Sequence, residues 1–107
     1  MLLGSDVQTT PAKLLTIVLP LSAELPFLAE LRHLGIHGAS VSTIRGHGAH
    51  GDRPSRWNPE NVRFEVVVPA AQVDPILAFL EERYRPLGPV VAWITDVAAW
   101  PSDKFGG

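Results

Sequence analysis

An α+β sandwich with four strands and two helices in the order βαββαβ is the fold that the 107 residues predict. Three observations carry it. Four short segments rich in β-branched and aliphatic residues are bounded by Gly and Pro. Two longer segments repeat apolar residues at helical spacing. Each helical segment falls between two strand segments, which is the order of two right-handed βαβ units around one antiparallel sheet. That is the ferredoxin-like arrangement, with both helices on one sheet face. A length of 107 residues and a mass of 11.6 kDa suit a single domain.

Residues 1–12 show no usable period and are expected to form a flexible N-terminal tail ahead of a domain at 13–107. Leu2 and Leu3 are too short a run for a signal-peptide core, and no Lys or Arg precedes them, so a cytoplasmic protein is expected. Residues 13–19 (KLLTIVL) predict the first strand, ended by Pro20. Leu25, Leu28, Leu31 and Leu34, with Phe27 beside them, predict a helix. Ser22 is placed to cap its start, Pro26 is tolerable in its first turn, and Gly35 is a C-terminal stop. Residues 41–45 (VSTIR) predict the second strand and 62–68 (VRFEVVV) the third, ended by Pro69. Val73, Ile76, Leu77, Leu80 and Tyr84 fit one face of a second helix. Residues 90–97 (VVAWITDV) predict the fourth strand, followed by a tail.

Composition narrows the function. The chain has no Cys, which removes disulfides, thiolate metal sites and Cys nucleophiles. A formal net charge of −2 offers no bulk attraction to nucleic acid or to an anionic membrane. No apolar run approaches the roughly 20 residues of a membrane-spanning helix. Alternation sorts the strand side chains into two faces. Arg63, Glu65 and Val67 share one face of the third strand, opposite Phe64, Val66 and Val68. The first strand is apolar on both faces, more so than a solvated face would be, which predicts a homo-oligomer built on the helix-free side.

Residues 46–61 predict a loop longer than a compact domain ordinarily tolerates without a function. Gly46 and Gly48 allow close backbone approach, and successive N–H groups there can form an anion nest. Arg45, Arg53 and Arg56 add forked donors suited to phosphate or carboxylate. A merely solvated hairpin loop is the competing reading. Trp57 serves either as a partner-binding anchor or to pack the loop down. His47 and His50, three residues apart, are a thin basis for a metal site, because zinc usually takes four ligands. His33 suits the dipole at a helix end, His37 reads as a turn residue, and Arg63 and Glu65 suit a structural salt bridge across strands or subunits rather than a catalytic pair.

Several of these segments together resemble the PII signalling superfamily. Gly46-His47-Gly48 looks like that family's Gly-x-Gly at the end of strand two, before its mobile T-loop. Residues 35–41 (GIHGASV) resemble its Gly-Ile-x-Gly-x-Thr-Val, with Ser40 in place of Thr. Residues 62–69 (VRFEVVVP) and 96–98 (DVA) resemble its third strand and the end of its fourth. The likeness runs over residues 13–105 in the same order. The glycine-rich phosphate loop before strand four is missing, no Tyr lies in the loop, and His50 stands where the family has Gln. Those departures, with Asp103-Lys104-Phe105 at the end, resemble the PII-like branch associated with carboxysomes and bicarbonate transporters.

The resemblance implies a homotrimer that binds adenine nucleotide, with ADP or AMP favoured, in clefts between subunits. It implies contacts from Ser40 to adenine or ribose and from the backbone near Val67 to the adenine edge. Gly46, His47 and Gly48 would line the cleft, Arg53 or Arg56 would reach the phosphates, and Lys104 would add charge. Bicarbonate is implied as a co-ligand, with Gly48, His50 and Gly51 as its nest, and Trp57 as a partner contact. The implied partner is a bicarbonate transporter or another inorganic-carbon protein, reached at a carboxysome or a membrane protein without insertion into the membrane. No covalent cofactor, metal or nucleic acid is expected, and no catalytic residue: the expected role is regulatory rather than enzymatic. The alternatives are a trimeric metabolite- or metal-binding protein of the same fold, or a weak nucleotide hydrolase.

Overall fold

The computed structural model describes residues 7–45 and 60–105. Four strands, β1 (Thr10–Pro20), β2 (Ser40–Ile44), β3 (Asn61–Val68) and β4 (Val91–Ala99), form one sheet in the order β2-β3-β1-β4. All three pairings are antiparallel. The helices α1 (Glu24–His33) and α2 (Val73–Phe79) connect β1 to β2 and β3 to β4. This is the expected ferredoxin-like α+β fold.

β1 is a central strand, paired on both edges, and its two faces differ in cover. Leu15, Ile17 and Leu19 are fully buried toward the helices, and Thr16 is 4% exposed on the other face. Phe64, Val66 and Val68 of β3 continue the helix-side layer, as the alternation predicts. Phe27 of α1 joins sheet to helices. Its ring meets Phe64 edge-on at 5.0 Å and Tyr84 edge-on at 5.8 Å between centroids.

β1 begins at Thr10, three residues before the expected start, so residues 10–12 belong to the sheet and not to a tail. The extension pairs Thr10, Pro11 and Ala12 with Ala99, Ala98 and Val97, and carries β4 two residues past its expected end, to Ala99. A proline inside a strand is confined to positions where its missing N–H is not needed. Here β3 pairs only from Lys13 onward, so Pro11 has a neighbour on one side, where a missing N–H is tolerated.

Both helices are entered by the same device. Pro20 and Pro69 end their strands in extended conformation, and each leads into a 3₁₀ turn, Leu21–Ala23 or Ala70–Gln72. These turns replace the cap expected from Ser22. Ser22 lies inside the first turn and makes no capping bond; the Glu24 N–H instead bonds the Leu21 carbonyl. The helix face is also narrower than the leucine spacing suggests. Ala23, Phe27 and Leu31, four apart, are buried, whereas Leu25 is 74% exposed.

Gly35 ends α1 as expected. It adopts φ +86°, its N–H bonds the Arg32 carbonyl at 2.9 Å, and the Ile36 N–H bonds the Leu31 carbonyl at 2.8 Å. The pair of bonds is a Schellman closure, with Ile36 packed against the core. The second helix ends differently. After Phe79 it widens into a π-helical turn, Leu80–Tyr84, and then tightens into a 3₁₀ turn, Arg85–Leu87. Pro86 has no N–H to donate, and its ring would meet the carbonyl of Glu82, so the α pattern cannot run on.

Candidate functional site

A cleft of about 520 Å³ opens where the end of α1, the start of β2 and the end of β3 come together. The Gly35 closure turns the chain out of α1, and residues 35–39 form one wall as they run to β2. Ser40 follows and lies directly across from Glu65 of β3, with Val67 two residues further along the same face. The third wall comes from the C-terminal turn, Ser102–Phe105, which brings Lys104 and Phe105 to the opening. The Lys104 N–H bonds the Pro101 carbonyl at 3.2 Å.

The chemistry of the lining is mixed. Ile36, Val67 and Phe105 offer apolar surface, and Ser40 and His37 offer hydrogen-bonding groups. One carboxylate and one ammonium, Glu65 and Lys104, face the space. Arg63 stands 4.0 Å from Glu65 on the same strand face, so the two charges meet within β3. A volume of this order can take a small organic ligand with a flat apolar part and polar substituents.

Ser40, Val67 and Lys104, three of the residues singled out in the sequence, are therefore drawn together from positions up to 64 apart in the chain. Gly46, His47, Gly48, His50, Gly51, Arg53, Arg56 and Trp57 lie outside the described residues. Glu65, His37 and Phe105 belong to the cleft although sequence reasoning gave them other roles. Alternation did put Glu65 on the face of Val67. What was missing was the neighbour, because only the pairing of β2 with β3 sets Ser40 opposite it. Among the described residues no group of three or more His, Asp or Glu is arranged to hold a metal ion.

Trp93 and Trp100 are 48% and 66% exposed in the single chain, Trp93 on the helix-free face of β4. Asp96 forms an ion pair with Lys13 across the β1–β4 pairing. Among the described residues no helix is long and apolar enough to cross a membrane.

Solved structures share this architecture. A PII-like protein from Thermus thermophilus is 31% identical, with a TM-score of 0.78 over 92% of this chain and 99% of that one. CPII from Thiomonas intermedia, a nitrogen regulatory PII-like protein solved with ADP, AMP and bicarbonate, is 19% identical. It matches with a TM-score of 0.75 over 87% of this chain and 92% of its own. A DUF3240 family protein from Shewanella baltica is 23% identical, with a TM-score of 0.62 over 80% of this chain and 89% of that one. No curated protein matches the sequence. The family model described as nitrogen regulatory protein P-II matches residues 12–102, which span both βαβ units and every wall of the cleft except its C-terminal turn. On that match the chain belongs to the P-II family.

Proposed function

We propose that this chain is a PII-like signal-transduction protein. It binds an adenine nucleotide between the subunits of a homotrimer and regulates a partner through the loop that joins β2 to β3. The observation that carries the reading is the cleft, in which Ser40, Val67 and Lys104 converge with Glu65. Val67 and Phe105 suit the faces of a purine, Ser40 and Glu65 suit its polar edge or the ribose hydroxyls, and Lys104 suits a phosphate. The ADP and AMP held by CPII support the ligand class.

The loop residues complete the proposal. Gly46, His47 and Gly48 line the site, and Arg53 or Arg56 meets the phosphates. Gly48, His50 and Gly51 form the nest for bicarbonate, which CPII also holds. Trp57 contacts the partner, an inorganic-carbon transporter or a related protein. The mechanism requires the ligand to bind two states of the loop unequally, since only that difference can shift them.

Calorimetric titration of the full chain with AMP, ADP, ATP and cyclic AMP, with and without bicarbonate, tests this reading. Saturable binding at one site per subunit is expected. Lys104→Ala should weaken nucleotide binding by about tenfold, the loss of one charge-assisted contact, and leave adenosine unaffected. Absence of binding by every nucleotide removes the proposal.

A further inference from the structure

A second hollow, of about 350 Å³, lies at the N-terminal end of α1, the other end of that helix from the cleft. Its walls are apolar: Pro20 at the end of β1, Pro26 in the first turn of α1, Phe79 of α2 and Leu87 beyond it. Leu87 is 80% exposed, an aliphatic side chain left in water that an apolar occupant would cover. Three polar side chains share the space, those of Ser22, Arg83 and Tyr84.

The π-helical turn assembles this set. Phe79 and Arg83 are four apart and share a face of any α-helix, but Tyr84 is five from Phe79 and would turn away. The i→i+5 widening over Leu80–Tyr84 returns Tyr84 to that face. The Arg83 guanidinium is laid over the Phe79 ring, 5.3 Å from its centroid. The other arginine of this segment, Arg85, is committed to Glu81 by bonds of 2.7 and 3.1 Å. Arg83 is thus the cation presented to the hollow. The Tyr84 phenol is protonated at neutral pH, as any phenol is, and burial and Glu30 move its pKa further up while Arg83 opposes. Its hydroxyl can therefore donate.

We infer that this hollow is a binding site, separate from the nucleotide cleft, for a small monocarboxylic acid with an aromatic or branched aliphatic body. The body packs on the proline and phenyl walls under Leu87. The carboxylate takes the forked donors of Arg83, with the Tyr84 and Ser22 hydroxyls within the same space. A volume near the lower end of the range for ligand pockets sets the size of the acid.

The test is a titration of the isotope-labelled full chain with phenylacetate, isovalerate and the neutral phenylacetamide, read by amide chemical shifts. Both acids should shift Ser22, Arg83 and Leu87 to saturation, and the amide should bind about tenfold more weakly than phenylacetate. Arg83→Gln should bring phenylacetate down to the affinity of the amide. Leu87→Ala, at a solvent-facing position that the fold does not depend on, should weaken acid and amide alike. Nucleotide titration of both variants should match the parent chain, which keeps the two sites distinguishable. Equal affinity for acid and amide, or shifts centred on Ser40, Glu65 and Lys104, would overturn the inference. So would the absence of any saturating response to either acid.

Discussion

Tyr84 is the only tyrosine of the chain and stands where both helices and the sheet meet. Burial raises its pKa above the ordinary 10.0, Glu30 adds to the rise, and Arg83 opposes it. A phenol held protonated by the fold stabilises the native state fully below its unfolded value. That contribution is lost as the pH climbs through the native pKa. Alkaline titration of phenolate absorbance should therefore give a single transition above 10.0 that falls back on unfolding. Tyr84→Phe should remove the corresponding part of the alkaline stability loss in denaturant melts. At this scale the sequence was unevenly legible. Gly35 was readable as a helix stop because a left-handed closure strongly favours glycine. Ser22 was misread as a cap because the signal for a cap residue does not reveal a 3₁₀ turn already satisfying the same N–H groups.

Among the elements, order, type and the two faces of β3 were readable, and the buried face of α1 was not. Hydrophobic period located both helices, since burial of one face imposes that period on an amphipathic helix, and β-branched, aliphatic runs bounded by Gly and Pro located the four strands. A leucine every third residue in α1 left several faces possible, and packing chose the one through Ala23, Phe27 and Leu31. Leu31→Ala should cost about 2–5 kcal/mol in denaturant unfolding, and Leu25→Ala less than about 0.5 kcal/mol. Similar losses for the two would contradict the placement of the helix. The π-helical end of α2 gave no pattern to find. Ile76, Leu80 and Tyr84 keep the same four-residue spacing in an ordinary helix, and the widening shows only in which other side chains meet.

For the whole molecule, the helix-free sheet face is the open question that the fold poses. Val91 and Trp93 are 53% and 48% exposed there, beside Leu14, Thr16 and Val18 of β1. Covering such a surface releases about 25 cal/mol for each Å² of apolar area removed from water. Light scattering of the proposed assembly should give three times the chain mass of 11.6 kDa. Trp93→Glu, which sets a charge in that face, should shift the mass toward the monomer and lower nucleotide affinity with it. A variant that stayed assembled would place the contact elsewhere.

The sequence by itself determined the fold class, the family likeness and the absence of any thiol chemistry. Periodicity, chain order and residue inventory are local properties, and they survive being read along a line. Tertiary structure decided which distant residues share a surface. Ser40 faces Glu65 because β2 pairs with β3 in one register, and a one-residue slip would turn every side chain of the strand to the other face. Lys104 and Phe105 reach the same cleft because the chain after β4 turns back across the end of the sheet. Arg83, Phe79 and Tyr84 share one hollow because the helix widens into a π turn over Leu80–Tyr84. Pairing register, chain reversal and helix distortion are set by packing, which joins residues that the sequence keeps apart.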